Sequence, residues 1–188
     1  MSAVAIPEVK GTTTLWNIDP VHSAAQFKVK HMMISNVKGE FTSVKGSLQF
    51  DPDNPGKSQV EAEIDAATIN TRDAQRDAHL KSVDFFDVEK FPTLSFRSTN
   101  VSKKADGELA VAGELAIHGV TRKVTFAVEG PSDPTKDPWG NTRLGLSATT
   151  RINRKDFGLT WNAALETGGI LVGDEVTITL DIQFVKAN

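Results

Sequence analysis

A chain of 188 residues, 39% hydrophobic and 24% charged, has the size and balance of one folded domain. A net charge of -3 gives no overall attraction to nucleic acid or to an anionic membrane, and no apolar run reaches the roughly 18 residues of a spanning helix. With no cysteine, disulfides, thiolate metal sites and cysteine nucleophiles are all excluded.

Residues 1–13, MSAVAIPEVKGTT, carry neither a basic start nor a sustained apolar stretch, so they read as a flexible tail and not as a secretory signal. Residues 14–188 are expected to form the domain. From Leu15 onward the hydrophobic period is two, the mark of strands with one apolar face. Ala25, Phe27 and Val29 alternate with Gln26, Lys28 and Lys30. The phase slips between Phe41 and Val44, which predicts a β-bulge between Gly39 and Gly46. Val60, Ala62 and Ile64 make the next stripe, after the turn-rich DPDNPG of residues 51–56.

Thr71 to Ser82 is the one convincing helical stretch, with Asn70 or Thr71 as its cap and Asp73 near its positive end. A short apolar segment, Val83 to Phe91, follows. Strand periodicity then resumes in Leu109–Ile117, Val124–Val128, Leu144–Ile152 and, most cleanly, Val176–Phe184, separated by turns at 105–107 and 130–140. About eight strands, mostly antiparallel, with one or two short helices, suit a sheet that closes on itself or packs as a sandwich. Closure removes exposed edges, and an eight-stranded barrel is just wide enough for its own side chains or one small ligand.

Several polar residues break the pattern. His31 continues the inward phase of Phe27 and Val29, as a hydrogen-bonded histidine at a strand end or as a polar group at a pocket mouth. Arg122 shares the phase of Val124 and Phe126 unless a bend at Gly119 turns it outward. Arg76 and His79, three apart, share one helix face beside Leu80, Phe85 and Phe86: a plug with surface-paired charges, or a lid meeting a polar ligand. Asn153 and Arg154 leave a strand just before Phe157 and Trp161, where an arginine fork can bind an acidic head group or pair with Asp156.

Enzyme templates find little support. His22, His31, His79 and His118 stand far apart without a close metal-ligand spacing, and neither a nucleophile elbow nor a phosphate-binding loop is present. The glycines of GGILVG, Gly168 to Gly173, read as a turn. No catalytic residue, metal or cofactor is expected.

Seven blocks, in order, resemble the YceI-like family of lipid-binding proteins. They are WNIDPVHS (16–23), HMMISNVKGEF (31–41), RDAHLKSVDFFD (76–87), FPTLSF (91–96), GELAIHGVTRKV (113–124), INRKDFGL (152–159) and VGDEVTITLDI (172–182). The resemblance spans about Leu15 to Val185. It implies an all-β fold, an extended eight-stranded antiparallel lipocalin-like barrel with one or two short helices covering one end, and often a homodimer. It also implies an elongated apolar cavity for an isoprenoid or similar long-chain amphiphile, such as a polyprenyl phosphate or isoprenoid quinone. The expected head-group ligands are His31, Arg76, His79, Asn153, Arg154 and Trp161. The expected partner is that lipid, with no nucleic acid and no transmembrane span, in the cytoplasm or periplasm. Two other readings stand beside carriage or storage: an enzyme using His31 or His79 as base on an amphiphilic substrate, and a stress-related structural or interaction protein whose barrel is self-filled.

Overall fold

A computed structural model describes residues 13–188; apart from Thr13, the tail expected over 1–13 lies outside the described residues. The strands are β1 (Thr14–Ile18), β2 (Ala24–His31), β3 (Ser35–Phe41), β4 (Val44–Phe50), β5 (Gln59–Asp65), β6 (Ile69–Asn70), β7 (Thr93–Lys103), β8 (Leu109–Ile117), β9 (Val120–Glu129), β10 (Thr135–Lys136), β11 (Thr142–Asn153) and β12 (Val172–Lys186), and the helix α1 is Ala74–Lys81.

Three pairs of these strands act as single interrupted staves. β1 and β2 pair with β12, β4 and β3 pair with β1 and β2 respectively, and β5 and β6 pair with β4 and β3. The sheet continues through β7, β8, β9 and β11, and β11 pairs along its length with β12. Eight antiparallel staves therefore close into a barrel, as expected from the family resemblance. The short β10 adds a hairpin arm on β11.

Each interruption has a local cause. Between β1 and β2, Pro20–His22 forms a 3-10 turn capped by the Asp19 side chain, which accepts from the Val21 N–H at 3.0 Å. Between β3 and β4 the ladder breaks at Thr42 and Ser43, so Phe41 and Val44 both face inward. That is the slip in hydrophobic phase, within the predicted interval, but a break between two strands with different partners makes it and not the expected β-bulge. Gly39 lies opposite Phe27, and a Cβ there would collide with the Phe27 ring; only glycine lets that ring lie flat across the strand.

The predicted helix begins later than expected. Asp73 is the cap, accepting from the Gln75 and Arg76 N–H groups at 3.0 Å each. Thr71 is instead tied to Asp77 Oδ1, through its N–H at 2.8 Å and its hydroxyl at 2.6 Å, and Arg72 takes φ 65°. A side chain inside the helix thus captures the residue expected to cap it. Beyond Ser82, tight turns through Phe91 carry Phe85 and Phe86 back onto the barrel.

The last stave contact is short. β9 meets β11 only over Ala127–Glu129, and the first half of β9 diverges. The 3-10 turn Arg154–Phe157 fills the gap: Arg122 Nε donates to Asp156 O at 3.1 Å and His118 Nδ1 lies 3.3 Å from Phe157 O. Arg122 is exposed, so the outward alternative holds, with His118 and Gly119 at φ 55° and 72° making the turn before it.

Candidate functional site

The inward faces do not meet at the barrel axis. Buried residues gather in three regions, around Trp16, Leu144 and Phe184, around Phe41, Ile117 and Phe157, and around Val111, Phe126 and Val128. A cavity of about 360 Å³ runs between them, in the size range of small-molecule sites. Its wall is almost wholly apolar. The alternation of β12 supplies Val176, Ile178, Leu180, Ile182 and Phe184 from one stave. From Val172 to Phe184 that stave runs about 40 Å at ~3.3 Å per residue. Phe50, Pro55, Leu109 and Pro131 lie at one end, and His31, Arg76, His79, Trp161 and Leu171 at the other.

This second end, the mouth, gathers the ionisable groups, while Ser58 and Gln59 are the polar residues beside Pro55 at the first. His79 packs edge-to-face on Trp161 and Phe85, with centroids 4.7 and 5.1 Å apart, and its Nε2 lies 2.8 Å from Asp84 Oδ2. The carboxylate orients the imidazole while the two rings fix its plane. Arg76, one turn earlier on α1, donates to the Thr71 hydroxyl and carbonyl, both at 2.8 Å, so Thr71 steers its guanidinium. His31, the last residue of β2, lines the cavity half-buried, and its ring has no hydrogen-bond partner among the described residues.

Arg154 is 3% exposed. It donates to Gly173 O at 2.8 Å, Leu159 O at 2.7 Å, Trp161 O at 2.9 Å and Val172 O at 3.4 Å. Burial pushes its pKa below the ordinary arginine value, offset in part by Asp174, whose Oδ1 lies 3.8 Å away. Its fork thus ties the 159–173 loop to the barrel. Asp156 is not its partner: Asp156 O accepts from Arg122 instead.

Of the six residues singled out from sequence, His31, Arg76, His79, Arg154 and Trp161 line the cavity. Asn153 does not. It is exposed, and its Oδ1 accepts from the Lys155 N–H at 2.9 Å to cap the 3-10 turn, because the strand phase that points Ile152 inward points Asn153 out.

Sequence reading missed Asn162. Its Oδ1 accepts from the N–H groups of Ala163, Leu171 and Val172 at 2.9, 3.1 and 3.0 Å, and its Nδ2 donates to Val172 O at 2.8 Å. No spacing announces this role, since three of its four bonds cross a hairpin of nine or ten residues. Among the described residues no group of three or more His, Asp or Glu is arranged to hold a metal ion, and no helix is long and apolar enough to cross a membrane.

The YceI-like domain model matches residues 16–184, which is all of the barrel except its two terminal edges. The chain belongs to the YceI-like family. A UPF0312 protein of Staphylococcus aureus is 36% identical over 172 residues, covering 91% of this chain and 97% of that one. Among solved structures, BcnA of Burkholderia cenocepacia superposes with a TM-score of 0.75 at 22% identity, over 88% of this YceI-like chain and 98% of BcnA. A polyisoprenoid binding domain from Saccharophagus degradans, implicated in plant cell wall breakdown, gives a TM-score of 0.66 at 12% identity, over 92% and 98%. At those identities the two structures speak to the YceI-like fold.

Proposed function

We propose that this YceI-like protein binds and carries or stores an isoprenoid or similar long-chain amphiphile, of the polyprenyl phosphate or isoprenoid quinone kind, with the tail in the barrel. The observation that carries this reading is the apolar cavity that follows β12 and gathers its ionisable side chains, Lys30, His31, Arg76, His79 and Arg154, at one end. The likeness of its fold to the polyisoprenoid binding domain of Saccharophagus degradans supports it. Burying a tail is worth roughly 0.8 kcal/mol per methylene, so a tail of about twenty carbons nominally gives about 16 kcal/mol before the cost of ordering it. The tail supplies affinity with little chemical detail, and His31, Arg76 and His79 select the head. Arg154 and Trp161 shape the mouth around it.

The test is native mass spectrometry of the purified protein, followed by extraction and identification of bound lipid. Co-purified isoprenoid, or uptake of an added quinone or polyprenyl phosphate, is expected. Ligand-free protein that takes up neither overturns the proposal. Carriage is tested separately, by transfer of a fluorescent isoprenoid between donor and acceptor vesicles, and pairing into a homodimer by sedimentation.

A second reading, an enzyme acting on an amphiphilic substrate, draws on the His79 and Asp84 pair, in which a carboxylate orients a histidine beside the cavity. Turnover of a bound isoprenoid that His79→Gln abolishes would favour it over carriage.

A further inference from the structure

Eight large apolar side chains are exposed among the described residues, and five of them, Met32, Met33, Ile34, Val83 and Ile170, stand on three loops around the cavity mouth. The loops are joined. The Met32 N–H donates to Leu171 O at 2.7 Å, the Met33 sulfur lies against Gly169, and Val83 is two residues from Phe85, whose ring centroid is 5.3 Å from that of Trp161.

The β2–β3 turn is unusual in composition. Met32 and Met33 take φ 51° and 61°, the conformation of a hairpin turn in which asparagine and glycine are preferred. Two bulky apolar residues are thus held at the tip at a backbone cost, 42% and 60% exposed.

The charges around them lean one way. Within residues 30–38, 81–84 and 161–172, Lys30, Lys38 and Lys81 make no ion pair among the described residues and outnumber the two acids, Asp84, which is bonded to His79, and Glu166. The chain as a whole carries -3, but screening limits each charge to roughly 10 Å, so the local excess of lysine decides what this end attracts.

We infer that this rim docks on an anionic lipid bilayer, so that a tail passes between bilayer and cavity without crossing water. Apolar side chains flanked by lysines match the layering of a membrane surface, with acyl chains beneath anionic head groups. The position of the patch explains why it is apolar. A long tail leaving the mouth into water re-exposes its whole apolar surface, whereas a mouth seated on acyl chains exposes none. The inference rests on the lipid-binding proposal above.

The experiment uses the Trp139→Phe protein, which removes the exposed tryptophan of the opposite end and leaves Trp161 as the reporter at the mouth, Trp16 being 2% exposed. Phosphatidylcholine vesicles with and without phosphatidylglycerol, carrying brominated acyl chains, are titrated at low and high salt. Expected are binding that needs phosphatidylglycerol, weakens with salt and quenches Trp161, and a loss of roughly tenfold or more in Met33→Glu/Ile34→Glu and in Val83→Glu. All these positions are exposed, and unchanged thermal melting verifies the fold. Both variants are expected to take up an isoprenoid delivered from detergent as well as the parent does.

No vesicle binding by the lipid-loaded parent overturns the inference. So does a parent that sediments as a dimer, with Met33→Glu/Ile34→Glu a monomer of unchanged vesicle affinity, which assigns the rim to a second copy. Failure of isoprenoid uptake with vesicle binding intact strikes the lipid-binding proposal instead and leaves the docking supported.

Discussion

Arg154 Nη1 donates to the carbonyl oxygen of Trp161 at 2.9 Å, while the Trp161 ring packs 4.7 Å from the centroid of His79. A buried cation in the gap between β9 and β11 thus sets the place of an aromatic wall at the cavity mouth. Arg154→Met removes four hydrogen bonds to carbonyls and takes their arginine donor from Leu159 O, Trp161 O and Gly173 O, while Val172 O keeps the Asn162 amide. The expected loss is about 3–5 kcal/mol of stability in urea unfolding, with Arg154→Lys recovering only part because an ammonium lacks the planar fork. Arg122→Met, which removes one bond at the exposed surface, is expected to cost about 1 kcal/mol or less by the same measurement.

The cavity makes a prediction about chain length. Ile178 lines it between two of the packed regions. Ile178→Trp places an indole in the path of a tail, and because the space is open the overpacking cost is expected at the low end, about 1 kcal/mol. Fluorescence titration is expected to show a roughly tenfold or greater loss for the longest isoprenoids and little change for short ones, since each buried methylene is worth about 0.8 kcal/mol. Equal loss at all lengths would contradict a continuous cavity.

Asp73 caps the helix that carries Arg76 and His79. Asp73→Ala is expected to cost about 1 kcal/mol of stability. The Arg76 side chain is held separately by Thr71, so Asp73→Ala is expected to leave head-group selectivity nearly unchanged while Thr71→Val reduces it. Binding of phosphorylated and neutral tails to the two variants separates these effects.

Acid stability is tied to a cluster away from the mouth. Arg143 binds Asp137 at 2.7 Å, Asp19 at 2.5 Å and Gln183 Oε1 at 2.9 Å, joining the β1–β2 corner to the β10–β11 arm. The Arg143 hydrogen bond is the main reason the Asp19 pKa falls from 3.8 to about 2, and burial opposes it. Asp137 is held well below the usual carboxylate range by the same guanidinium. Both folded-state pKa values are depressed, so their stabilisation is fully present above about pH 4 and is lost as the pH falls toward 2. Thermal melting between pH 5 and 2 is expected to fall more steeply for the parent than for Arg143→Met, which is less stable at pH 5 and approaches the parent at pH 2.

Alternation of apolar and polar residues by itself determined where most of the staves are and which face of each turns inward, because a pleated strand sends successive side chains to opposite sides whatever its neighbours are; β7 escaped it, its ladder shifting register between Ser98 and Asn100. Val60, Ala62, Ile64 and the stripe from Val176 to Phe184 are legible for that reason, as is the phase slip resolved at Thr42 and Ser43. The same local rule places His31 on the cavity wall. Residues whose roles depend on partners distant along the chain were not legible. Arg154 reads as an exposed fork until the 159–173 loop folds over it, and Asn162 gives no signal until a hairpin brings Leu171 and Val172 to it. The helix cap, expected at Asn70 or Thr71, moves to Asp73 for a local reason: Asn70 accepts from the Arg72 N–H and Asp77 captures Thr71. Whether the barrel is hollow was likewise decided only by the tertiary structure. Inward alternation describes a packed core and a lined cavity equally well, and the distance between opposing staves, which no stretch of one stave encodes, separates the two.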